Sequence, residues 1–499
     1  MDLGRTAPVS TPAAKRRAFA RAAAAVLAAC ACTQASPGKK LASGIARGLI
    51  ARNGSVAFLL DPRHPDDPGV PDDLLVAEMW LHDRKVGSGV STQDGAYAFS
   101  PRGELAFLAD WRFREGEGEL WTAATDTEPR LVATNVRAFA WSPRGELAFV
   151  GRDLLGVDGR NVKLAGLQAI SWSPDGRRVA ARASAAAGGT LWTVDPLSGI
   201  ARKTAIATSD FAFASDGALA ALGPPPPKGG DRPLLLDGNR IGTATAFAFS
   251  PDGREIALLS TQKRPGEAAG ELYRLTRSSG IAALVATRVT DWRWGSGGDL
   301  VGLAHYDLRA RAGTLTVAPS GGEAREIARK VQSFSIAGRR LLYLVQVPLK
   351  TDFKLELWGV DLASVEAKPR RFDEGVYGWV LSPDGNTLYY KARCAGGSRS
   401  CSLLRVPFSG GAAEVLATNV AGFELSRDGS RLLVQQPHHG VPRAVDIAVI
   451  SAPGTPPDRV KPLAEEVDPS SLFADDAGKR LAYAIVAAGR SGVFLADVP

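Results

Sequence analysis

An all-β fold, a β-propeller of about eleven four-stranded blade repeats, is what this sequence predicts, on three observations. An aromatic strand runs into a Gly turn and out into an apolar strand again and again, most clearly at Phe139 to Phe149, Ile170 to Ala180 and Phe247 to Ala257. The turn glycines (Gly54, Gly103, Gly145, Gly176, Gly217, Gly253, Gly298, Gly338, Gly385, Gly429 and Gly478) follow one another at 31 to 49 residues. A period of roughly 40 to 45 residues is that of a four-stranded blade, and the 3.6-residue periodicity of helical repeats is absent.

Each element of the repeat has a physical task. Phe139 and Trp141 lie two apart, so they share one face of a strand and fill the space between neighbouring blades. Ser-Pro-Asp-Gly then makes the hairpin turn: Pro fixes φ, the Asp or Ser side chain binds backbone N–H groups, and Gly takes a positive φ. After the turn, Leu147 and Phe149 alternate again. Glu119-Leu120-Trp121, Glu271-Leu272-Tyr273 and Glu356-Leu357-Trp358 supply third strands, and Arg130 to Thr134 and Glu414 to Thr418 supply fourth strands. Trp141, Trp172 and Trp294 are expected in the core.

The Trp-Ser-Pro-Asp-Gly turn, the Gly-x-Leu-Trp strand and the Ser409 to Leu416 strand pair resemble the TolB-type, WD-like propeller family, from about Leu41 to Pro499. The copies around Gly298, Gly338 and Gly478 depart from the motif. The resemblance implies a propeller that docks an envelope protein, while such rings host many unrelated activities.

Eleven motifs exceed the four to eight blades of a usual ring. That favours two tandem propellers, 41–265 and 266–499, with one large ring as the alternative. Short outer hairpins at Leu154 to Val162 and Leu234 to Ile241 occur only in the first half. The last copy lacks a fourth strand after Val493 to Asp497, and Leu41 to Ile50 is expected to supply it, which removes an exposed edge.

The start of the chain gives an address. Lys15-Arg16-Arg17 precede an apolar run from Ala18 to Ala29, too short for the ~20 residues that span a bilayer. Residues 1–29 therefore read as a signal peptide, exported by the general or the twin-arginine route. Leu27-Ala28-Ala29-Cys30 resembles the bacterial lipobox, which implies a lipid on Cys30, a tether over residues 30–40 and a place in the bacterial cell envelope on the periplasmic or cell-surface side. Beyond residue 29 the chain carries 55 basic and 51 acidic residues, scattered, which does not favour nucleic acid. Cys394 and Cys401 flank a hairpin, and a disulfide between them suits an oxidising compartment.

The search for chemistry is mostly negative. Five histidines form no metal-ligand spacing, and there is no Gly-x-Ser-x-Gly elbow. No catalytic residues, cofactor or metal are expected, and the chain is expected not to be an enzyme. The acidic stretch Asp61 to Asp73 and the pair His438-His439 read as surface loops. Asp175, Asp252 and Asp384 recur at one turn position, which marks them as turn residues.

Topology locates a binding face. Loops between second and third strands and the crossings between blades open on one side of a ring. There the sequence places Trp111, Arg112, Arg114, Arg182, His305, Tyr306, Lys350 and Arg393, with Arg137, Arg288, Asp291 and Tyr377 on the crossings. Trp, Tyr and Arg dominate interface energetics. The leading expectation is a membrane-anchored, non-catalytic scaffold binding another envelope protein through this face. A module for a small molecule or glycan, or an enzyme with a loop-built site, are the alternatives; an open patch favours the first and a closed pocket the others.

Overall fold

The computed structural model describes residues 39–498 apart from 44–45, 53–54, 66–68, 185–188, 206, 209, 225, 227–229, 262–269, 350–352, 365–366, 396–399, 442–443, 452–460, 475–478 and 486–490. Cys30, Lys350, the signal peptide and most of the tether lie outside these residues.

The described residues form an all-β, propeller-like fold of antiparallel sheets. The sheets resolve into four-stranded units in chain order, as in Ala46–Arg52, Ser55–Arg63, Val76–Leu81 and Arg84–Ser91. Three strands serve two units each: Arg130–Trp141, Ile281–Trp294 and Arg325–Ala337 end one unit and begin the next. In Arg130–Trp141, the first half pairs with Glu117–Ala123 and the second with Leu147–Gly151.

The turns follow the expected chemistry. Ser173 Oγ donates to Asp175 Oδ1 at 2.6 Å and accepts from the Arg178 N–H at 2.9 Å. Gly176 closes the turn onto the Ser173 carbonyl with φ 68°. Ser250 with Asp252 and Ser426 with Asp428 repeat this at 2.7 Å each. These aspartates therefore cap backbone, as turn residues do.

Aromatic residues of the first strands link unit to unit. Trp141 Nε1 donates to the Ala98 carbonyl at 3.1 Å, Trp172 to Ala140 at 3.0 Å and Trp294 to Ala248 at 3.2 Å, each acceptor on the first strand of the preceding unit. Small residues at the acceptor positions let the next indole approach. Of the three expected core tryptophans, Trp172 is buried, while Trp141 and Trp294 are half-buried.

The core is not one mass. Among the described residues it divides into eleven apolar clusters, each joining two units consecutive in the chain or the last unit to the first. Leu41, Ala42, Ala482, Ala484 and Val493 pack against Val56, Phe58 and Leu60 of the first unit. The strand Lys39–Ala42 pairs antiparallel with Gly492–Asp497 and completes the last unit. The closing strand thus sits earlier than Leu41 to Ile50: Ala46–Arg52 begins the first unit, and Lys39 and Lys40, expected in the tether, are in the closing strand.

Residue 265, expected as a junction, lies outside the described residues; on either side of it, Glu255–Thr261 pairs along its whole length with Gly270–Thr276. Ala220, Leu222, Leu234 and Ala244 also pack against Ile256, Leu258 and Leu275 across the same region.

Candidate binding face

The hairpins between second and third strands and the crossings between units emerge at one end of the sheets. The backbone there is unusual. Asp110, His305 and Arg393 on the hairpins, and Asn135, Arg288, Lys330 and Asn419 on the crossings, all have φ between 46° and 57°. A non-glycine residue in this region costs about 1 kcal/mol and is held only by its surroundings. On the long shared strands these residues coincide with breaks in register against the preceding strand. They turn the chain from the outer edge of one unit to the inner edge of the next.

Two groups of side chains gather on this face. In the first, Glu117 is nearly inaccessible, with its side chain 1% exposed, and three arginines converge on it. Arg112 Nη2 donates to Glu117 Oε1 at 3.1 Å and to Asn135 Oδ1 at 2.7 Å. Arg152 Nη2 donates to the same carboxylate oxygen at 2.8 Å, and Arg137 Nε lies 3.9 Å from Oε2. A buried carboxylate persists only when paired and hydrogen-bonded, and here the pairing crosses a unit boundary, since Arg152 belongs to the following unit. Arg112 and Arg152 keep much of their surface in solvent, so the face is locally basic.

The second group lines a recess of about 640 Å³, open to solvent, formed by Tyr306, Arg311, Gln332, Ser333, Leu344, Leu355, Val376, Tyr377 and Trp379. Its walls are fixed by backbone chemistry. Asp307 Oδ1 accepts from the N–H groups of Arg309 and Ala310 at 2.7 and 3.2 Å, which holds its carboxyl below its ordinary value and pins the hairpin that carries Tyr306 and Arg311. Gln346 Nε2 donates to the Arg311 carbonyl at 3.1 Å. Trp379 Nε1 donates to Ser335 Oγ at 2.7 Å, which sets the indole plane. Gln332 Oε1 is buried without a hydrogen-bond partner, a state that costs about 1–3 kcal/mol.

Of the expected residues, the structure gathers Arg112 and Arg137 in the first group and Tyr306 and Tyr377 in the second. Trp111 is half-buried against the cluster of Leu108, Leu120, Val136 and Phe149. It lies over Gly118, where an added Cβ would stand 2.6 Å from the Ala109 carbonyl and 3.2 Å from the indole. Arg114 and Arg288 are exposed, and Arg182 is partly buried on its strand. Asp291 lies 3.3 Å from Arg293, His305 Nε2 3.4 Å from Thr287 Oγ1, and Arg393 3.6 Å from Asp373. His438, read as a surface loop residue, is partly buried between Asp446 at 2.7 Å and Glu466 at 3.6 Å. Sequence reasoning missed Glu117, Arg152, Arg311, Gln332 and Trp379. Arg311 closes the hairpin that begins at His305, so following that loop to its end would have found it.

No family model and no curated protein matches the chain. Solved structures similar to it include a eukaryotic initiation factor (TM-score 0.41, 10% identity, covering 74% of this chain and 95% of that one). A tricorn protease (TM-score 0.30, 13% identity, 90% and 46%) and an oligogalacturonate lyase in complex with manganese (TM-score 0.32, 12% identity, 72% and 96%) are also similar. The protease and the lyase are β-propeller proteins. They are also enzymes, which corrects the expectation that this chain is not one. At these TM-scores the likeness concerns architecture and carries no reaction or substrate to this chain.

Proposed function

We propose that the chain is a single closed ring of eleven TolB-like blades, held at the bacterial envelope by a lipid on Cys30, that docks another envelope protein on its loop face. The cyclic order of the core clusters supports one ring. Two tandem rings would pack the first unit against the fifth or sixth, whereas its neighbours are the second and the last. The Lys39–Ala42 strand then acts as the clasp, a few residues beyond the lipid, so the ring would sit close to the membrane with the clasp side inward. A disulfide between Cys394 and Cys401 fits an oxidising compartment.

The observation that carries the docking role is the setting of the recess. Leu308 is 85% exposed, Leu349 54%, Tyr377 55% and Phe353 39%. Leu308 sits on the hairpin after Leu300–Asp307, Leu349 and Phe353 flank the next hairpin, and Tyr377 follows the next crossing. Large apolar side chains exposed on successive loops of one face, with Tyr377 lining the recess, mark an interaction site. The recess is open, which favours a macromolecular partner over an enclosed small ligand.

Affinity purification of the full-length lipoprotein from cells, with and without Leu308→Asp and Phe353→Asp together, tests this reading. One dominant envelope protein lost in the double variant is expected. The same proteins captured in both would refute it. Cys30→Ser should move the chain from the membrane to the soluble fraction, and persistence in the membrane would remove the lipid tether.

A further inference from the structure

We infer that the recess between Tyr306 and Tyr377 receives the free C-terminus of the partner chain, with its terminal carboxylate on Arg311, its last amide N–H on Gln332 and an apolar last side chain on Leu344, Leu355 and Val376. This rests on the docking reading of the same face and names what enters it.

The chemistry of the lining selects such an occupant. Arg311 is exposed and has no hydrogen-bond or ion-pair partner for its guanidinium among the described residues, and no Asp or Glu lines the recess. A planar guanidinium in that position takes a carboxylate through two parallel hydrogen bonds. Gln332 Oε1, buried and unpartnered, needs a donor. The last residue of a peptide offers both a carboxylate and, on the same residue, an amide N–H.

Register keeps the two groups together. Gly313 pairs with Val331, so Arg311 stands two residues before the start of that ladder and Gln332 one residue beyond it. Leu344, Leu355 and Val376 supply an apolar floor, while Trp379, held by Ser335, and the two tyrosines form the walls. A single cation is a poor match to a phosphate, which is usually met by several. An internal Asp or Glu separates its carboxylate from its own N–H by one or two additional carbons.

The test uses the full-length protein in detergent and a pool of hexapeptides randomised at the last three positions, prepared as free acids and as C-terminal amides. Peptides retained on the immobilised protein are read by mass spectrometry. Retention of free acids with Leu, Ile, Val or Phe last, at least tenfold above the amides, is expected. Arg311→Gln should abolish that preference, and Gln332→Leu should weaken retention of both forms, with melting temperatures no lower than that of the unaltered protein to exclude misfolding. Equal retention of acids and amides, or a preference that survives Arg311→Gln, overturns the inference. If no peptide is retained while the partner is still captured from cells and lost in the Leu308→Asp/Phe353→Asp variant, the C-terminal inference fails and the docking reading stands.

Discussion

Lys40 pairs with Phe494 across the two ends of the chain, and its ammonium lies 5.8 Å from the centroid of that ring. The contact belongs to the strand that completes the last unit, where Leu41 and Ala42 are buried against both the last and the first units. Without this strand, the edge of Gly492–Asp497 and one face of the first unit would meet water.

Leu41→Ala is therefore expected to destabilise by about 2–5 kcal/mol, the usual cost of emptying a buried leucine site. Hydrogen exchange should quicken first in Gly492–Asp497 and Ser55–Arg63, the strands on either side of the clasp. Unchanged protection in both strands would show that the ends of the chain do not close the fold.

Glu117 predicts strongly non-additive behaviour. Arg112→Ala or Arg152→Ala alone leaves one guanidinium on Oε1, and each should cost about 1 kcal/mol or less, as for partly exposed pairs. The double variant strips both hydrogen-bonded partners from a buried carboxylate and should cost about 3–5 kcal/mol. Denaturant midpoints for the three variants check the prediction, and simple additivity would contradict it.

Trp172 serves as both filler and link. Trp172→Phe retains most of the buried area but leaves the Ala140 carbonyl without its donor, at about 1 kcal/mol. Trp172→Ala should cost about 3–5 kcal/mol. At the half-buried Trp141 and Trp294, alanine should cost less, and thermal melts of the three alanine variants would rank Trp172 first.

The turn aspartates predict an acid response. Asp175, Asp252 and Asp428 are each held below their ordinary value of 3.8, first by the serine hydroxyl and then by a backbone N–H. A depressed carboxyl stabilises the fold fully above its unfolded value, and that contribution fades as pH falls through the lower folded value. Replacing the three by Asn should lower the melting temperature at pH 7, and the two melting curves should converge below about pH 3.8. A difference that stays constant down to pH 2.5 would assign the effect to something other than ionisation.

Strands and turns were legible because their chemistry is local. The serine, aspartate and glycine of one turn satisfy each other within five residues, and the Phe139-x-Trp141 alternation names its own face. The pairing of Lys40 with Phe494 was not legible, because no local pattern joins residues so far apart in the chain. The face was half legible for the same reason. Tyr306 and Tyr377 announce themselves as aromatics on loops, but Gln332 matters only because three units surround it. Trp111, an aromatic on a hairpin, is instead drawn over the bare backbone of Gly118.

The central claim is that the loop face recognises a partner, and site-specific photo-crosslinking in living cells tests it most directly. Benzoylphenylalanine would replace Tyr377 on that face in one strain and Arg254, exposed on a turn at the opposite end, in another. The account predicts one dominant protein adduct from position 377 and none from position 254. Adducts of equal yield at both positions, or none at position 377, would contradict it.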